Sequence, residues 1–271
     1  MGTSLPQELT DKIIDEVAKD SVPRTTALQA CSLVSRAWLG RSHKHLFSKV
    51  EFDHGRLHDW CSTVRPGENG PSRYVTRLHY RADYLGAYPE SLVNDYGYMS
   101  YFTNVQTLHL SGVGLHRTEY VFSLMQLRST VRFLELASCK MNINDLVTFL
   151  RPFTNLESLS LWGIYISHDK KLEKRGRLPT LKGQLDLNLT LCAGIRSFLH
   201  ELSLLPLAFR DITLRDNLWL PGEVDQLLTA SRKTLTMIRI INSESPLHRT
   251  ESVTHYLQLK FGFQATAILS T

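Results

Sequence analysis

Apolar residues recur along this chain in a six-residue motif, apolar-x-x-apolar-x-apolar, whose end alternates as the two faces of a β-strand do. The motif fits VQTLHL from Val105, VRFLEL from Val131, LESLSL from Leu156, FRDITL from Phe209 and LTMIRI from Leu235. Weaker copies stand at VTRLHY from Val75 and KGQLDL from Lys182. The second apolar position falls at Leu78, Leu108, Leu134, Leu159, Leu185, Ile212 and Ile238, so successive spacings are 30, 26, 25, 26, 27 and 26 residues. Seven copies at so even a spacing predict a repeat architecture with one strand per unit. Between the strands the spacing turns helical, in TEYVFSLMQL from Thr118, NDLVTFL from Asn144, IRSFLHELSLL from Ile195 and GEVDQLL from Gly222. Thr118 and Asn144 read as helix N-caps, and Pro152 and Pro206 follow helix ends. One strand and one helix per unit, stacked side by side, bury a core that no single unit could bury. The fold class expected is therefore α/β, a curved solenoid with a parallel sheet on its concave face, over residues 49–271.

Alternation along each strand also assigns the side chains that face away from that core. They include Arg77, His79 and Arg81, Thr107 and His109, Phe133 and Glu135, Ser160 and Trp162, Asp186, Thr213 and Arg215, and Arg239. Arg77, His79, His109, Phe133, Glu135, Trp162, Asp186, Arg215 and Arg239 are the candidate substrate-binding residues, because aromatics and arginines often dominate protein recognition. Phe133 and Trp162 have an alternative role, packing against a terminal segment or loop.

The first 48 residues do not follow the repeat. In SLPQELTDKIIDEV, from Ser4, the residues Leu9, Ile13 and Val17 recur at i, i+4 and i+8 with Ile14 beside them. Ser4 and Gln7 have capping-box spacing, and Pro6 suits a first helical turn. A second helix carries Leu28, Cys31 and Val34 with Thr26 as cap, and a third, capped by Ser35, carries Trp38, Leu39 and Leu46. Three short helices in so few residues make a small core, so burial against a partner is expected.

Composition narrows the classes. Hydrophobic content of 42% and charged content of 21% are those of a folded protein. The net charge of +5 is concentrated in HDKKLEKRGRLPTLK at 168–182, where six basic and two acidic residues give 6 − 2 = +4. Such a run reads as a solvated loop, and without interleaved aromatics it argues against a nucleic-acid partner. Four cysteines, Cys31, Cys61, Cys139 and Cys192, lack the paired spacing of a disulfide framework or zinc site. No stretch approaches the roughly 20 apolar residues that span a bilayer, and no secretory leader is recognisable, so a cytoplasmic or nuclear protein without membrane contact is expected. His43 and His45 read as an exposed polar pair rather than metal ligands, and His79 and His109 as neighbours across the sheet without the further ligands a metal needs. No nucleophile, base and orienter set appears, so neither catalysis nor a cofactor or metal is expected.

Two resemblances give these patterns a function. The repeats resemble the leucine-rich repeat, LxxLxLxxN/C, whose ninth position is matched by Cys139 and Asn217 but not by Val113, Ile164, Thr190 or Ser243. Residues 3–47, with LPQEL from Leu5, IIDEV from Ile13 and CSLVSRAW from Cys31, resemble the F-box, although the link AKDSVPRTTALQA departs from that pattern. The resemblance implies an F-box domain at 1–48 that binds a Skp-type adaptor, and through it a cullin ubiquitin ligase, by Leu5, Pro6, Leu9, Ile13, Val17, Leu28, Val34 and Trp38. The repeats, about seven and irregular, would then bind an unknown protein substrate. The alternatives are an interaction scaffold outside ubiquitination and a nucleic-acid-binding solenoid. If the apolar stripe of the first helix belongs to a partner, the chain is expected to be less soluble alone than with the adaptor, which sedimentation of the two samples checks.

Overall fold

The computed structural model describes residues 5–19, 24–53, 56–64, 70–82, 98–115, 127–166, 180–188, 195–215, 221–242 and 265–269. Three helices come first: α1 (Gln7–Val17), α2 (Arg24–Val34) and α3 (Arg36–Leu46). They lead into a parallel sheet of nine strands, β1 (Lys49–Asp53), β2 (Arg77–Arg81), β3 (Thr107–Ser111), β4 (Phe133–Ala137), β6 (Ser158–Trp162), β8 (Leu181–Asn188), β9 (Leu207–Arg215), β10 (Met237–Asn242) and β11 (Ala265–Leu269). Their order in space is their order in sequence. A small parallel pair, β5 (Lys140–Met141) and β7 (Tyr165–Ile166), lies beyond β4 and β6. Helices α4 (Arg56–Val64), α5 (Ile143–Leu150), α6 (Ile195–Ser203) and α7 (Pro221–Ser231) alternate with the strands, so the architecture is mixed α/β.

The repeat sets the strand register. Leu78 pairs with Leu108, Leu108 with Leu134, Leu134 with Leu159, Leu159 with Leu185, Leu185 with Ile212 and Ile212 with Ile238. All seven are buried, and so are Tyr80, Leu110, Leu136, Leu161, Leu187 and Leu214 two residues on. The apolar faces of α5 to α7 close over this row with Leu146, Phe149, Leu150, Phe198, Leu202, Leu227 and Leu228 in one core. Outside the motif copies, β1 joins the same sheet through Val50, opposite Leu78, and Phe52, opposite Tyr80. The C-terminal strand β11, which the motif does not mark, pairs with β10.

A second regularity fixes the corners. Gly112, Ser138 and Gly163 each follow a strand and each have positive φ, at 69°, 52° and 55°. Their N–H groups donate to Ala137, Trp162 and Asn188, the last carbonyls of the neighbouring strands, at 2.7 to 2.8 Å. The left-handed turn thus satisfies a strand end that would otherwise face the core unpaired. The next position is buried in each case, as Val113, Cys139 and Ile164. The Cys139 thiol donates weakly to the Leu110 and Ala137 carbonyls, and burial pushes its pKa up to about 12. Asn217, Thr190, Ser243, Cys192 and the helix expected from Thr118 lie outside the described residues.

Several local expectations are corrected. The cap of α5 is Asn142, not Asn144: its side chain accepts from Asp145 N–H while the Asp145 carboxylate accepts from Asn142 N–H, a reciprocal box that an Asn two residues later could not form. Thr26 lies inside α2, and Ser35 precedes α3 without a side-chain cap bond. Pro6 is the residue before α1 rather than within its first turn. Gln7 caps nothing and instead donates to Asp11 and to the Ala37 carbonyl. Thr213 stands on the outward rung between Asp186 and Arg239, as the alternation requires, but it is buried there.

The sharpest steric demand sits at Gly183. There β8 bulges against β9, φ is +88°, and an added Cβ would stand 1.9 Å from the Glu157 carbonyl oxygen. Gly183→Ala is expected to cost more than about 2 kcal/mol, combining backbone strain with a backbone clash. Chemical denaturation of the two proteins measures it.

Candidate functional site

Two surfaces gather the candidate residues. The first lies on the three N-terminal helices. Successive residues of α1 are about 100° apart around its axis, so Thr10, Ile14 and Ala18 share one side and are buried. Ile14, Ala18 and Leu28 form a separate small core with Val17, Trp38 and Leu46 packed around it. Leu9 and Ile13 stand on the adjoining side and remain 46% and 42% exposed, and Leu5 is exposed with them. At the end of α2, Leu33 and Val34 are 86% and 62% exposed, and Leu39 is exposed on α3. The expected stripe is therefore split. Leu28, only 1% exposed, serves the module's own core and is corrected as a partner-binding residue, with Val17 and Trp38 largely engaged there. Leu5, Pro6, Leu9, Ile13 and Val34 are left accessible, and Leu33 and Leu39 join them. Leu33 was missed because α2 was read from its inward positions alone.

An ion-pair cluster holds this arrangement. Asp15 on α1 accepts from Arg41 Nε at 2.7 Å and lies 2.7 Å from His45 Nε2, both on α3. These bonds, from Arg41 first and His45 second, hold the Asp15 carboxyl far below the usual carboxylate range. His45 is thus half-buried and engaged, not part of an exposed pair. His43 packs edge-on against Phe47 and Tyr74, and burial lowers its pKa.

The second surface is the outward face of the sheet, where the register lines the candidates up in rungs. Glu51, His79, His109 and Glu135 are direct partners on β1, β2, β3 and β4, and Ser160 and Asp186 continue the rung on β6 and β8. The two imidazole rings touch, with centroids 3.8 Å apart. His79 Nδ1 is 3.3 Å from Glu51, and His109 Nδ1 is 3.1 Å from Glu135. Desolvation, then the neighbouring His109, lowers the pKa of His79, while the bond to His109 lowers that of Glu135. The far nitrogen of His79, Nε2, is buried without a hydrogen-bond partner. Glu51 and Lys49 on β1 were not read as part of this surface, although the alternation in KVEFD points them outwards.

Farther along, Asp186 accepts a two-pronged bond from Arg215, with contacts of 2.8 to 3.1 Å. The Arg215 guanidinium also lies 5.2 Å from the centre of the exposed Trp162 ring. Trp162 is therefore a fixed platform, and Arg215 and Asp186 are engaged with each other. Arg239 is half-buried and Arg77 exposed. Exposed Phe133 lies at the other end of the strands, on a groove of about 580 Å³ that Glu157, Lys182, Gln184, Arg210 and Asp211 also line. The basic run at 168–182 lies outside the described residues except for its last three positions.

Among the described residues, no group of three or more His, Cys, Asp or Glu is placed to hold a metal ion. No helix among them is long and apolar enough to cross a membrane. No protein-family model matches the chain, and no curated protein matches it.

Because the folded-state pKa of Asp15 is depressed, its stabilisation is full above the ordinary carboxylate value of about 3.9 and is lost as pH falls below it. Asp15→Asn is expected to lower stability by about 1 kcal/mol at neutral pH and to flatten the acid limb. Denaturation midpoints from about pH 7 down to about pH 3 test both.

Proposed function

We propose that this chain is the substrate-recognition subunit of a Skp–cullin–F-box ubiquitin ligase, itself non-catalytic. On this reading residues 1–48 are an F-box and residues 49–271 a leucine-rich-repeat-like solenoid. The observation that carries it is the divided α1 face. Ile14 and Ala18 satisfy the small helical core, while Leu5, Leu9, Ile13, Leu33 and Val34 remain partly to largely exposed aliphatic side chains outside it. Covering the exposed half of two or three such side chains contributes about 1 kcal/mol each, the kind of apolar anchoring a helical partner uses. The motif LPQEL that begins this patch is the part of the chain most like an F-box.

The outward sheet face supplies the other half of the reading. It offers an aromatic platform at Trp162, an exposed Phe133 and a run of polar rungs, the mixture that protein interfaces favour. The cullin is reached only through the adaptor, and the target is a protein.

Leu9→Glu combined with Ile13→Glu is expected to abolish capture of a Skp-type adaptor by the full chain while lowering the thermal midpoint far less than a change at Ile14, because Leu9 and Ile13 are 46% and 42% exposed and Ile14 is fully buried. Ile14→Ala, by contrast, is expected to destabilise the module by about 2 to 5 kcal/mol. Adaptor capture that survives the double substitution would refute the reading.

A further inference from the structure

The β1–β3 end of the outward face carries more cations than its own acids satisfy when the histidines are charged. Lys49, Arg77 and Arg81 are exposed, and none of them makes an ion pair with another described residue. Lys49 and Arg77 are direct cross-strand partners, as are Asp53 and Arg81. Between these two rungs runs Glu51–His79–His109–Glu135. The charged or titratable groups around the histidine pair are thus Lys49, Glu51 and Asp53 from β1, Arg56 from α4, which lies 4.0 Å from Asp53, Arg77 and Arg81 from β2, and Glu135 from β4. Thr107 and Ser111 are what β3 adds beside His109.

With both imidazoles neutral, four cations, Arg56 beside Asp53 included, stand against three carboxylates, 4 − 3 = +1. With both protonated the same patch carries +3, and Glu51 and Glu135 are then occupied by their own histidines. Lys49, Arg77 and Arg81, which pair with no described residue in either state, are then joined by two further positive charges on adjacent strands of one sheet. That chemistry fits an extended acidic segment laid across the strands.

We propose that the outward face over β1 to β4 receives an acidic peptide segment of the target, and that protonation of the touching His79–His109 pair switches this site on. The proposal rests on the reading of the outward face as the target surface. Burial keeps His79 less readily protonated than a free imidazole, so the site is mostly off at neutral pH. An acidic segment binds the protonated form better, so by linkage it raises the affinity of the pair for protons, and binding tightens as pH falls. Glutamates of the segment stay ionised until pH nears about 4.3, which leaves a working window above that value. Since the patch is exposed to solvent, salt must weaken the interaction.

The test uses the full chain and a fluorescent ten-residue peptide rich in Glu and Asp, read by anisotropy. The peptide is expected to bind about tenfold tighter at about pH 5.5 than at about pH 7.5, a shift equivalent to one pKa unit of coupling. His79→Asn with His109→Asn should make the affinity independent of pH over that range. Arg77→Gln with Arg81→Gln should lose binding at both values. Glu135→Gln, which removes one compensating carboxylate without touching the core, should tighten binding at neutral pH and decides the matter if the histidine variant does not fold. The proposal is overturned if the peptide fails to bind at either pH, or if the pH dependence survives loss of both histidines. Tighter retention of a single-stranded oligonucleotide of equal charge, or binding abolished by a chelator, would also overturn it. Adaptor capture, measured on the same samples, reports separately on the function proposed above.

Discussion

The sheet and the helices packed on it are positioned by one row of aliphatic side chains, from Leu78 on β2 to Ile238 on β10, that stay partnered strand to strand even past the bulge at Gly183. A parallel sheet cannot shift register by one residue without turning its apolar set to water, so burying that row locks every outward rung as well. The left-handed corners after β3, β4 and β6 follow from the same constraint. Each must return the chain to the core side and still hand its N–H to the next strand end. The strand starts show the mirror of this economy, where the carbonyls of Ser48, Thr76, Gln106 and Arg132 each accept two N–H groups from the following unit.

The two surfaces differ in how they acquire binding potential. On the helical module it comes from insufficiency: a core of Ile14, Ala18 and Leu28 is too small to use all the aliphatic residues that three helices carry, so the surplus faces solvent. On the sheet it comes from rigidity. Neighbouring strands lie about 4.8 Å apart, and side chains on one rung are forced into contact whether or not their charges agree. His79 and His109 touch for this reason, and Glu51 and Glu135 at the ends of their rung supply the opposite charge. Such crowding gives side chains with modest intrinsic properties a shared electrostatic response that none would have alone.

The ion pairs divide along the same line. Asp15 with Arg41 and His45 joins two helices of the module and is architectural. Asp186 holds Arg215, whose guanidinium in turn lies over the Trp162 ring 5.2 Å from its centre. Both use the planar fork of arginine, whose paired donors define an orientation that a lysine could not.

By itself the sequence determined what period encodes: the strands, their parallel register, and which residues point into the core. Period two with a spacing near 26 residues admits few other arrangements, and the buried row at Leu78 to Ile238 follows it throughout. Tertiary structure alone decided which apolar residues of α1 are spare, because Leu9 and Ile14 satisfy the same helical pattern and only the placement of α2 and α3 separates them. It also decided that Asn142 rather than Asn144 caps α5, that His45 is tied to Asp15 across thirty positions of sequence, and that Glu51 and Glu135 bracket the histidine pair. Those outcomes depend on distances between segments far apart in the chain, which periodicity cannot carry.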